Sequence, residues 1–323
     1  MTQESFLVTG GLGCIGAWVV RNLVHEGTPV TVFDLASEPH RIKLIMTARE
    51  VERINFISGD IGDLNAVKSA VQQSEVTHLI HLAALQVPFC RADPSLGARV
   101  NVVGTVNVFE AAKQAGLKHV VYASSVAVYG LSEEYPEGVI DHHSVLRPRT
   151  HYGVYKQANE GTARIYWMDD GISSIGLRPY TLYGPGRDQG MTSSPTKAML
   201  SAAAGRAFHI PYGGRGCMQY NDDIAKMFIR AARIPYQGAE VFNVRGSVAD
   251  MSEVVAAIEA AKPSVKGKIT FDPKPLPLPE ELDDTPLRGL LGDLPETPLS
   301  KGVKATIEFF QQALADGRIT VES

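Results

Sequence analysis

The chain of 323 residues is poor in cysteine, and its three cysteines lie far apart. Cys14, Cys90 and Cys217 form an odd set with no Cys-x-x-Cys pair. This spacing indicates neither a disulfide framework nor a cysteine metal site. It fits a reducing compartment, so we expect a cytoplasmic protein.

Long apolar runs and an excess of basic residues are also lacking. No stretch reads as a membrane span, and residues 1–5 contain no basic segment typical of a signal peptide. The formal net charge is -4, with Lys and Arg scattered along the chain, so charge favours neither nucleic acid nor an anionic membrane as a partner. The adjacent His142 and His143 lie in a polar stretch typical of a solvated loop, and no metal is predicted. We therefore expect a soluble protein whose partner is a small-molecule substrate.

Apolar runs that alternate with helical periods dominate the rest of the chain. With 44% apolar residues, the chain can bury a full α/β core and a small second region. The alternation predicts an α/β fold with a Rossmann-type, doubly wound parallel sheet and a small C-terminal substrate-binding cap. We assign residues 1–178 to the cofactor-binding domain, to which 219–246 return, and residues 179–218 and 247–323 to the cap. The predicted strands are 6–8, 30–33, 55–58, 77–82, 119–123, 173–177 and 240–244, and the longest predicted helices are 96–115 and 152–168.

A glycine-rich loop joins the first predicted strand to the first helix. It reads Thr9-Gly10-Gly11-Leu12-Gly13-Cys14-Ile15-Gly16. Gly10 permits a turn with positive φ, Gly13 lets a pyrophosphate approach the backbone, and Gly16 allows close packing of the helix. The helix N-terminus formed by Cys14, Ile15 and Gly16 then faces the anion.

Asp34 ends the second predicted strand, at the distance where a carboxylate binds the adenosine ribose diol. It would repel a 2′-phosphate, although Arg41 and Lys43 follow a few residues later. The predicted cofactor is therefore NAD rather than NADP.

Tyr152 and Lys156 lie four residues apart on a predicted helix, so both side chains share one face. A phenolate at neutral pH requires roughly 4 kcal/mol of preferential stabilisation, and a nearby ammonium supplies much of it. Ser125 follows the predicted strand 119–123 at the sheet edge where ligands bind. These residues predict a dehydrogenase site in which Tyr152 is the base, Lys156 lowers its pKa, and Ser125 positions the substrate oxygen.

Further motifs make the chain resemble the extended short-chain dehydrogenase/reductase family, of the NAD-dependent epimerase/dehydratase type, from about Phe6 to about Gln311. They include Gly59-Asp60-Ile61, His81-Leu82-Ala83-Ala84, Asn101-Val102-Val103-Gly104-Thr105, Ser124-Ser125-Val126-Ala127 and Arg178-Pro179-Tyr180-Thr181. The resemblance implies that Asp60 and Ile61 contact adenine, that Ala83 and Ala84 line the cofactor, and that Ser125, Tyr152 and Lys156 carry the chemistry. It also adds Leu82, Asn101 and Pro179 to the cofactor site. The family commonly forms dimers through the two long helices, which implies a homodimer.

The chain departs from this family at several positions. Cys14 replaces the usual Phe or Tyr, and Val126 and Ala127 stand where dehydratases and decarboxylases carry acidic residues. Thr181 replaces a usual Asn, and Gly216 aligns with the Arg that clamps a nucleotide pyrophosphate. Arg187 and Arg215, with Thr181, are candidate residues for a small substrate.

These observations predict an NAD-dependent oxidoreductase that oxidises a secondary alcohol of a small sugar, sugar acid or hydroxy acid. The main alternative is a nucleotide-sugar 4-epimerase. A noncatalytic NAD-sensing regulator is a third, which an intact Ser125, Tyr152 and Lys156 disfavours.

Overall fold

A parallel sheet of seven strands forms the centre of the protein in the computed structural model, which describes residues 4–135 and 139–321. The strand order is β11-β7-β5-β4-β1-β2-β3, which confirms the predicted doubly wound Rossmann-type topology. Each strand lies within two residues of its predicted bounds. The strands are β1 (Phe6–Thr9), β2 (Val30–Asp34), β3 (Asn55–Ser58), β4 (His78–His81), β5 (His119–Ala123), β7 (Ser173–Arg178) and β11 (Ala239–Asn243).

Helices cover both faces of this sheet, because alternate strand residues point to opposite sides. Phe6 and Val8 of β1 pack into the core on one face, whereas Leu7 packs into the core on the other. The first core contains α1 (Cys14–Glu26), α2 (His40–Ile45), α10 (Asn221–Arg233) and α12 (Thr285–Leu291); the second contains α4 (Leu64–Gln73), α7 (Gly104–Gln114) and α8 (His151–Asp170). Leu287 of α12 packs in the first core, although this helix lies in the stretch predicted as cap.

A smaller body with its own hydrophobic core is built mainly from the C-terminal half. Its helices are α9 (Ser194–Ala203), α11 (Met251–Ala261) and α13 (Leu299–Ala315). Its strands β8 (Thr181–Tyr183), β10 (Arg215–Tyr220) and β12 (Ser247–Asp250) form one sheet, and β9 (Phe208–Ile210) pairs with β13 (Ile269–Phe271). β6 (Val139–Ile140), which precedes α8 in the chain, pairs in parallel with β14 (Glu281–Leu282), which lies between β13 and α12.

The helix predicted over residues 96–115 is divided into three segments. They are α6 (Pro94–Ala98), a π-helical segment (Arg99–Val103) and α7. The short helix α5 (Val87–Ala92) comes just before α6, and another short helix, α3 (Ala48–Val51), lies earlier in the chain. The wider turn lets the Asn101 amide donate to Gly97 O at 2.9 Å and to Leu85 O at 3.2 Å. Among the described residues, no helix combines the length and apolar character needed to cross a membrane.

Candidate active site

Two connected cavities, of about 300 and 380 Å³, lie at the carboxyl ends of the central strands. This edge is where open α/β sheets bind ligands. Gly10, Gly13 and Cys14 line both cavities, as do Leu82, Ala84, Gln86 and Arg187. The larger cavity contains Asp34 and the smaller contains Ser125, Tyr152 and Lys156, so they are described as the Asp34 cavity and the Tyr152 cavity.

The glycine loop has the conformation that its sequence predicts. Gly10 has φ +70°, and a Cβ there would lie 2.4 Å from the backbone nitrogen of Ala83. A Cβ at Gly16 would lie 2.3 Å from Gly10 O, so the close approach at Gly16 is to the loop backbone rather than to the strand. α1 begins at Cys14 without a side-chain cap or an acidic residue in its first turn. Its free amide groups, those of Cys14, Ile15 and Gly16, therefore suit a pyrophosphate.

The residues predicted to bind adenosine line the Asp34 cavity. Asp34 accepts from the Leu12 amide at 3.0 Å and from the Ala36 amide at 3.2 Å, so its carboxylate is held at the cavity wall. Asp60 accepts from the Gly62 amide at 2.8 Å and pairs with Arg99. Ile61, Leu82, Ala83 and Ala84 also line this cavity. The arrangement of Asp34, Asp60 and these apolar residues around the cavity fits NAD.

Asn101, which was also predicted to bind the cofactor, lies behind the cavity wall. Its side chain is buried, and its amide donates to Leu85, which lines the Asp34 cavity. Its role in this geometry is to support the wall. The predicted contact Pro179 lines the Tyr152 cavity.

Cys14 lines both cavities in place of the usual aromatic residue. Burial raises the pKa of its thiol to about 11, although the charges of Arg187 and Arg41 oppose the shift. The thiol is therefore neutral at pH 7, and it adds no charge to the pyrophosphate site.

Ser125, Tyr152 and Lys156 come together in the Tyr152 cavity. Tyr152 and Lys156 lie in the first two turns of α8, whose start is capped by the Thr150 hydroxyl, an acceptor from the Gly153 amide at 3.0 Å. The Lys156 ammonium is buried and donates to Ala123 O at 2.7 Å, at the end of β5. The Ser125 hydroxyl accepts from the Ala127 amide at 3.1 Å, and it lies close enough to the Tyr152 phenol to lower the pKa of that group. The three side chains therefore lie together in one cavity.

The protonation of this group differs from the sequence-based expectation. Burial raises the pKa of Tyr152 above its ordinary value, and the Ser125 hydrogen bond and the Arg187 charge only partly offset it. Burial also lowers the pKa of Lys156 to about 8. The expected lowering of the Tyr152 pKa by Lys156 is thus wrong for the protein by itself, because removing the phenolate from water outweighs the attraction of nearby cations.

A buried ion pair behind the three residues was not predicted. Glu160 lies one helical turn after Lys156, and its carboxylate accepts from Arg178 at 2.7 and 2.9 Å and from Ser124 at 2.5 Å. Arg178 also donates to the hydroxyl of Tyr129, at 2.5 Å. The spacing Lys-x-x-x-Glu on one helix face was the available signal, but the partner Arg178 lies on another element.

Of the predicted substrate residues, only some reach the cavity. Arg187 lines both cavities. Thr181 is buried in β8 and Arg215 is exposed at the start of β10, and neither lines a cavity. Gly216 lies against Tyr180, whose hydroxyl would be 3.2 Å from a Cβ at Gly216. The sequence analysis missed several other lining residues of the Tyr152 cavity, including Gln86, Arg149, Tyr180, Met191, Leu276 and Leu278.

Known proteins resemble this chain along nearly its whole length. The model of the NAD dependent epimerase/dehydratase family matches residues 6–244. UDP-glucose 4-epimerase of Mycolicibacterium smegmatis is 31% identical over 316 residues, which are 94% of this chain and 98% of the relative. The structure of Thermus thermophilus UDP-glucose 4-epimerase in complex with NAD covers 96% of this chain and 100% of its own, with a TM-score of 0.80 and 27% identity.

A dehydrogenase has the same fold. L-threonine dehydrogenase of Clostridium difficile covers 97% of this chain and 99% of its own, with a TM-score of 0.84 and 22% identity. The fold is therefore shared by epimerases and dehydrogenases. From the glycine loop, the two cavities and the match over residues 6–244, the chain belongs to the NAD-dependent epimerase/dehydratase family.

Proposed function

We propose that this protein is an NAD-dependent dehydrogenase that oxidises a secondary alcohol in a small substrate bearing a carboxylate, such as a sugar acid or hydroxy acid. The observation that supports this proposal most directly is the state of Arg187. It is a cation that lines the Tyr152 cavity, and it has no acidic partner within residues 4–135 and 139–321. In the part of the chain that the structure describes, the one hydrogen bond of its guanidinium joins Nη2 to the Thr192 hydroxyl at 2.8 Å, and its Nε is buried without a partner. A carboxylate matches such a planar donor group.

The charge of the cavity supports the same substrate class. Arg149, Lys156 and Arg187 are its charged lining residues, and none of the lining residues is acidic. Arg149 is paired with Glu134 at 2.7 Å, whereas Arg187 remains available. An anion entering this cavity would therefore meet a net positive charge.

The site carries little that would hold a nucleotide. Tyr180 occupies the space beside Gly216, and its hydroxyl donates to Pro279 O at 2.5 Å. The apolar segment of Leu276, Pro277 and Leu278 lines the same cavity. The position that aligns with the family's pyrophosphate clamp is Gly216, which carries no cation, and this supports a small substrate over a nucleotide sugar.

In the proposed oxidation, Tyr152, Ser125 and Lys156 each have one role. When bound, NAD supplies the hydride acceptor and a positively charged ring. Tyr152 takes the proton of the substrate hydroxyl, Ser125 donates to the substrate oxygen, and Lys156 supplies positive charge next to Tyr152. Arg187 holds the substrate carboxylate and orients the alcohol toward Tyr152.

A screen with matched substrates tests this proposal. Aldonic and hydroxy acids of three to six carbons are compared with the corresponding alcohols, and NADH formation is followed. The acids should react, and Arg187→Gln should raise their KM by about 10- to 100-fold, the effect of losing one charged hydrogen bond. Arg149→Gln, which removes a charge already paired with Glu134, should have a much smaller effect. An increase in the dissociation constant of NADH, with an unchanged substrate KM, would instead assign Arg187 to the cofactor pyrophosphate.

A UDP-sugar 4-epimerase is the second candidate, and the full-length similarity to the Mycolicibacterium smegmatis epimerase favours it. The two functions differ in product release. An epimerase keeps its oxidised intermediate bound, whereas a dehydrogenase forms NADH in proportion to substrate. Micromolar binding of UDP in calorimetry, with formation of the 4-epimer and no net NADH, would establish the epimerase and exclude the small-substrate proposal.

We also propose a homodimer formed through the two long helices. Exposed apolar side chains lie on the outer surfaces of α5, α6, the π segment and α8, namely Phe89, Leu96, Val103, Val154, Ile165 and Met168. Light scattering after size exclusion should give a dimer for the native chain and a monomer for the Ile165→Glu, Met168→Glu double variant. Phe56→Glu, on the edge strand β3, is the control and should leave the dimer intact.

A further inference from the structure

An ion-pair cluster joins the two sides of the Asp34 cavity. Asp188, in the loop after β8, accepts from Arg41 Nε at 2.9 Å and from Arg41 Nη2 at 2.7 Å. His40 Nε2 lies 3.1 Å from the other carboxylate oxygen of Asp188. Arg41, His40 and Asp188 all line this cavity, as does Asp34. The contact therefore spans 147 residues of chain and lies at the cofactor cleft.

Leu12 connects this cluster to the ribose carboxylate. Its amide donates to Asp34 at 3.0 Å, and its carbonyl oxygen accepts from Arg41 Nη1 at 3.0 Å. Asp34 and Arg41 are thus both hydrogen-bonded to the backbone of Leu12, Asp34 to its amide and Arg41 to its carbonyl oxygen. Arg41 is also mostly buried, with 13% of its side chain exposed, so its guanidinium has little freedom to leave this position.

The loop that carries Asp188 is itself anchored. Its Pro185 carbonyl oxygen accepts from the Trp18 indole at 2.9 Å and from the Asn221 amide at 3.1 Å. The neighbouring Gly186 packs on the Arg41 side chain, which a Cβ at this glycine would meet at 3.9 Å. Asp188 therefore reaches Arg41 from a loop whose base is bound to α1 and α10.

We propose that Asp188 selects the cofactor by pairing with the Arg41 guanidinium. This guanidinium is hydrogen-bonded to Leu12, the residue whose amide donates to Asp34. An arginine after the second strand is the group that accommodates the 2′-phosphate of NADP in folds of this type. Here its two donors Nε and Nη2 are directed to Asp188 and its charge is neutralised, so it offers no bidentate site for a phosphate. Two carboxylates therefore enforce the choice of NAD, Asp34 at the end of β2 and Asp188 from the substrate side of the cleft.

Lys43 provides an internal comparison. It is another cation in the segment after β2, and it pairs with Glu38 at 2.7 Å, with both side chains exposed. Because no hydrogen bond links Lys43 to Leu12 among the described residues, freeing it should not create a phosphate site. Glu38→Gln is therefore a matched control for Asp188→Asn, since each removes one carboxylate paired to a cation in this region.

The test measures cofactor binding without substrate, so it is independent of the proposed reaction. Dissociation constants of NADH and NADPH are determined by fluorescence titration for the native chain, Asp188→Asn, Glu38→Gln, and Asp188→Asn combined with Arg41→Ala. Asp188→Asn should tighten NADPH binding by about 10-fold, near the lower limit for one charged hydrogen bond, and leave NADH binding within about threefold. Adding Arg41→Ala should abolish the gain, because the two residues are coupled.

Three results would overturn the proposal. They are an unchanged ratio of the NADPH and NADH constants in folded Asp188→Asn, a gain that survives Arg41→Ala, and an equal gain in Glu38→Gln. Thermal unfolding checks that each variant is folded. If Asp188→Asn does not fold, Asp188→Glu and Arg41→Ala replace it: the glutamate variant should keep the native ratio, and Arg41→Ala should leave NADPH binding as weak as in the native chain. A tighter NADPH complex in either would contradict the proposal.

Discussion

The ammonium of Lys156 lies 5.6 Å from the centre of the Tyr152 ring. Lys156 is buried and Tyr152 is half-buried, and this removal from water raises the pKa of Tyr152 and lowers the pKa of Lys156 to about 8. Burial therefore favours the neutral form of each group. The charge state needed for proton abstraction, a phenolate beside an ammonium, must be stabilised by ligands in the cavity and by Arg187.

Oxidation should accelerate as pH rises from 6 to about 8. Proton abstraction requires the ionised form of Tyr152, whose fraction grows with pH, while Lys156, with a pKa of about 8, keeps its ammonium below that value. Tyr152→Phe removes the base and should lower kcat by about 10²- to 10⁴-fold while NADH still binds. Profiles of kcat/KM against pH for both proteins provide the measurement. Near-native turnover of the phenylalanine variant would exclude Tyr152 as the base.

Lys156→Met should stabilise the fold at pH 7 while it damages activity. The folded protein releases the Lys156 proton near pH 8, whereas the unfolded chain keeps it to 10.5, so between these values the unfolded state binds more protons and native stability rises with pH. The variant should be more stable by on the order of 2 kcal/mol at pH 7, after allowing for the lost hydrogen bond to Ala123. This advantage should shrink by pH 10. Urea unfolding at both pH values tests the trend, and a constant difference would contradict it.

Glu160→Gln should strongly destabilise the protein. The substitution leaves the buried Arg178 guanidinium without a counter-charge, since the Glu160 and Arg178 side chains are only 8% and 4% exposed. The expected loss is about 3 kcal/mol or more in the free energy of unfolding. Glu308→Gln, which removes an exposed partner of Lys304 on α13, is the control and should change little. Equal stability of both variants would show that the buried pair contributes no more than a surface pair.

Two glycine substitutions should have opposite consequences. Gly16→Ala places a Cβ 2.3 Å from Gly10 O, so the loop backbone must move, and NADH binding should weaken by at least about 100-fold. Gly161→Ala lies within α8, where a Cβ meets nothing within 4 Å, and it should add about 1 kcal/mol of stability without affecting binding. Titration with NADH and thermal unfolding distinguish the two. Unimpaired binding by Gly16→Ala would mean that the loop accommodates a side chain.

Most of the seven strands could be predicted because they are short apolar runs between helical periods; β3, Asn55–Ser58, has only two apolar residues. Gly10, Asp34 and the Tyr152/Lys156 pair were equally accessible, since their spacing along the chain is local. The sequence did not allow prediction of two ion pairs, Glu160–Arg178 and Arg41–Asp188. Each depends on how different segments meet in the fold, and in the second pair these segments are 147 residues apart.

The pKa of Tyr152 was predicted in the wrong direction for a related reason. The spacing of Tyr152 and Lys156 reveals an attraction between charges, but the cost of removing a phenolate from water depends on the surrounding side chains. Leu276 and Leu278, which line the cavity, come from more than 120 residues away in the chain. No sequence pattern near Tyr152 predicts that these leucines line the cavity. Likewise, no pattern near Arg215 predicts that this residue lies outside it.

The bond between the Trp18 indole and Pro185 has a practical consequence. Trp18 is one of two tryptophans in the chain, and the other, Trp167, lies on α8. A Trp167→Phe variant would contain a single indole, attached directly to the loop that carries Arg187 and Asp188. Its emission should respond to changes in the surroundings of that loop, so the indole is an intrinsic fluorescent reporter for ligand binding in the cleft.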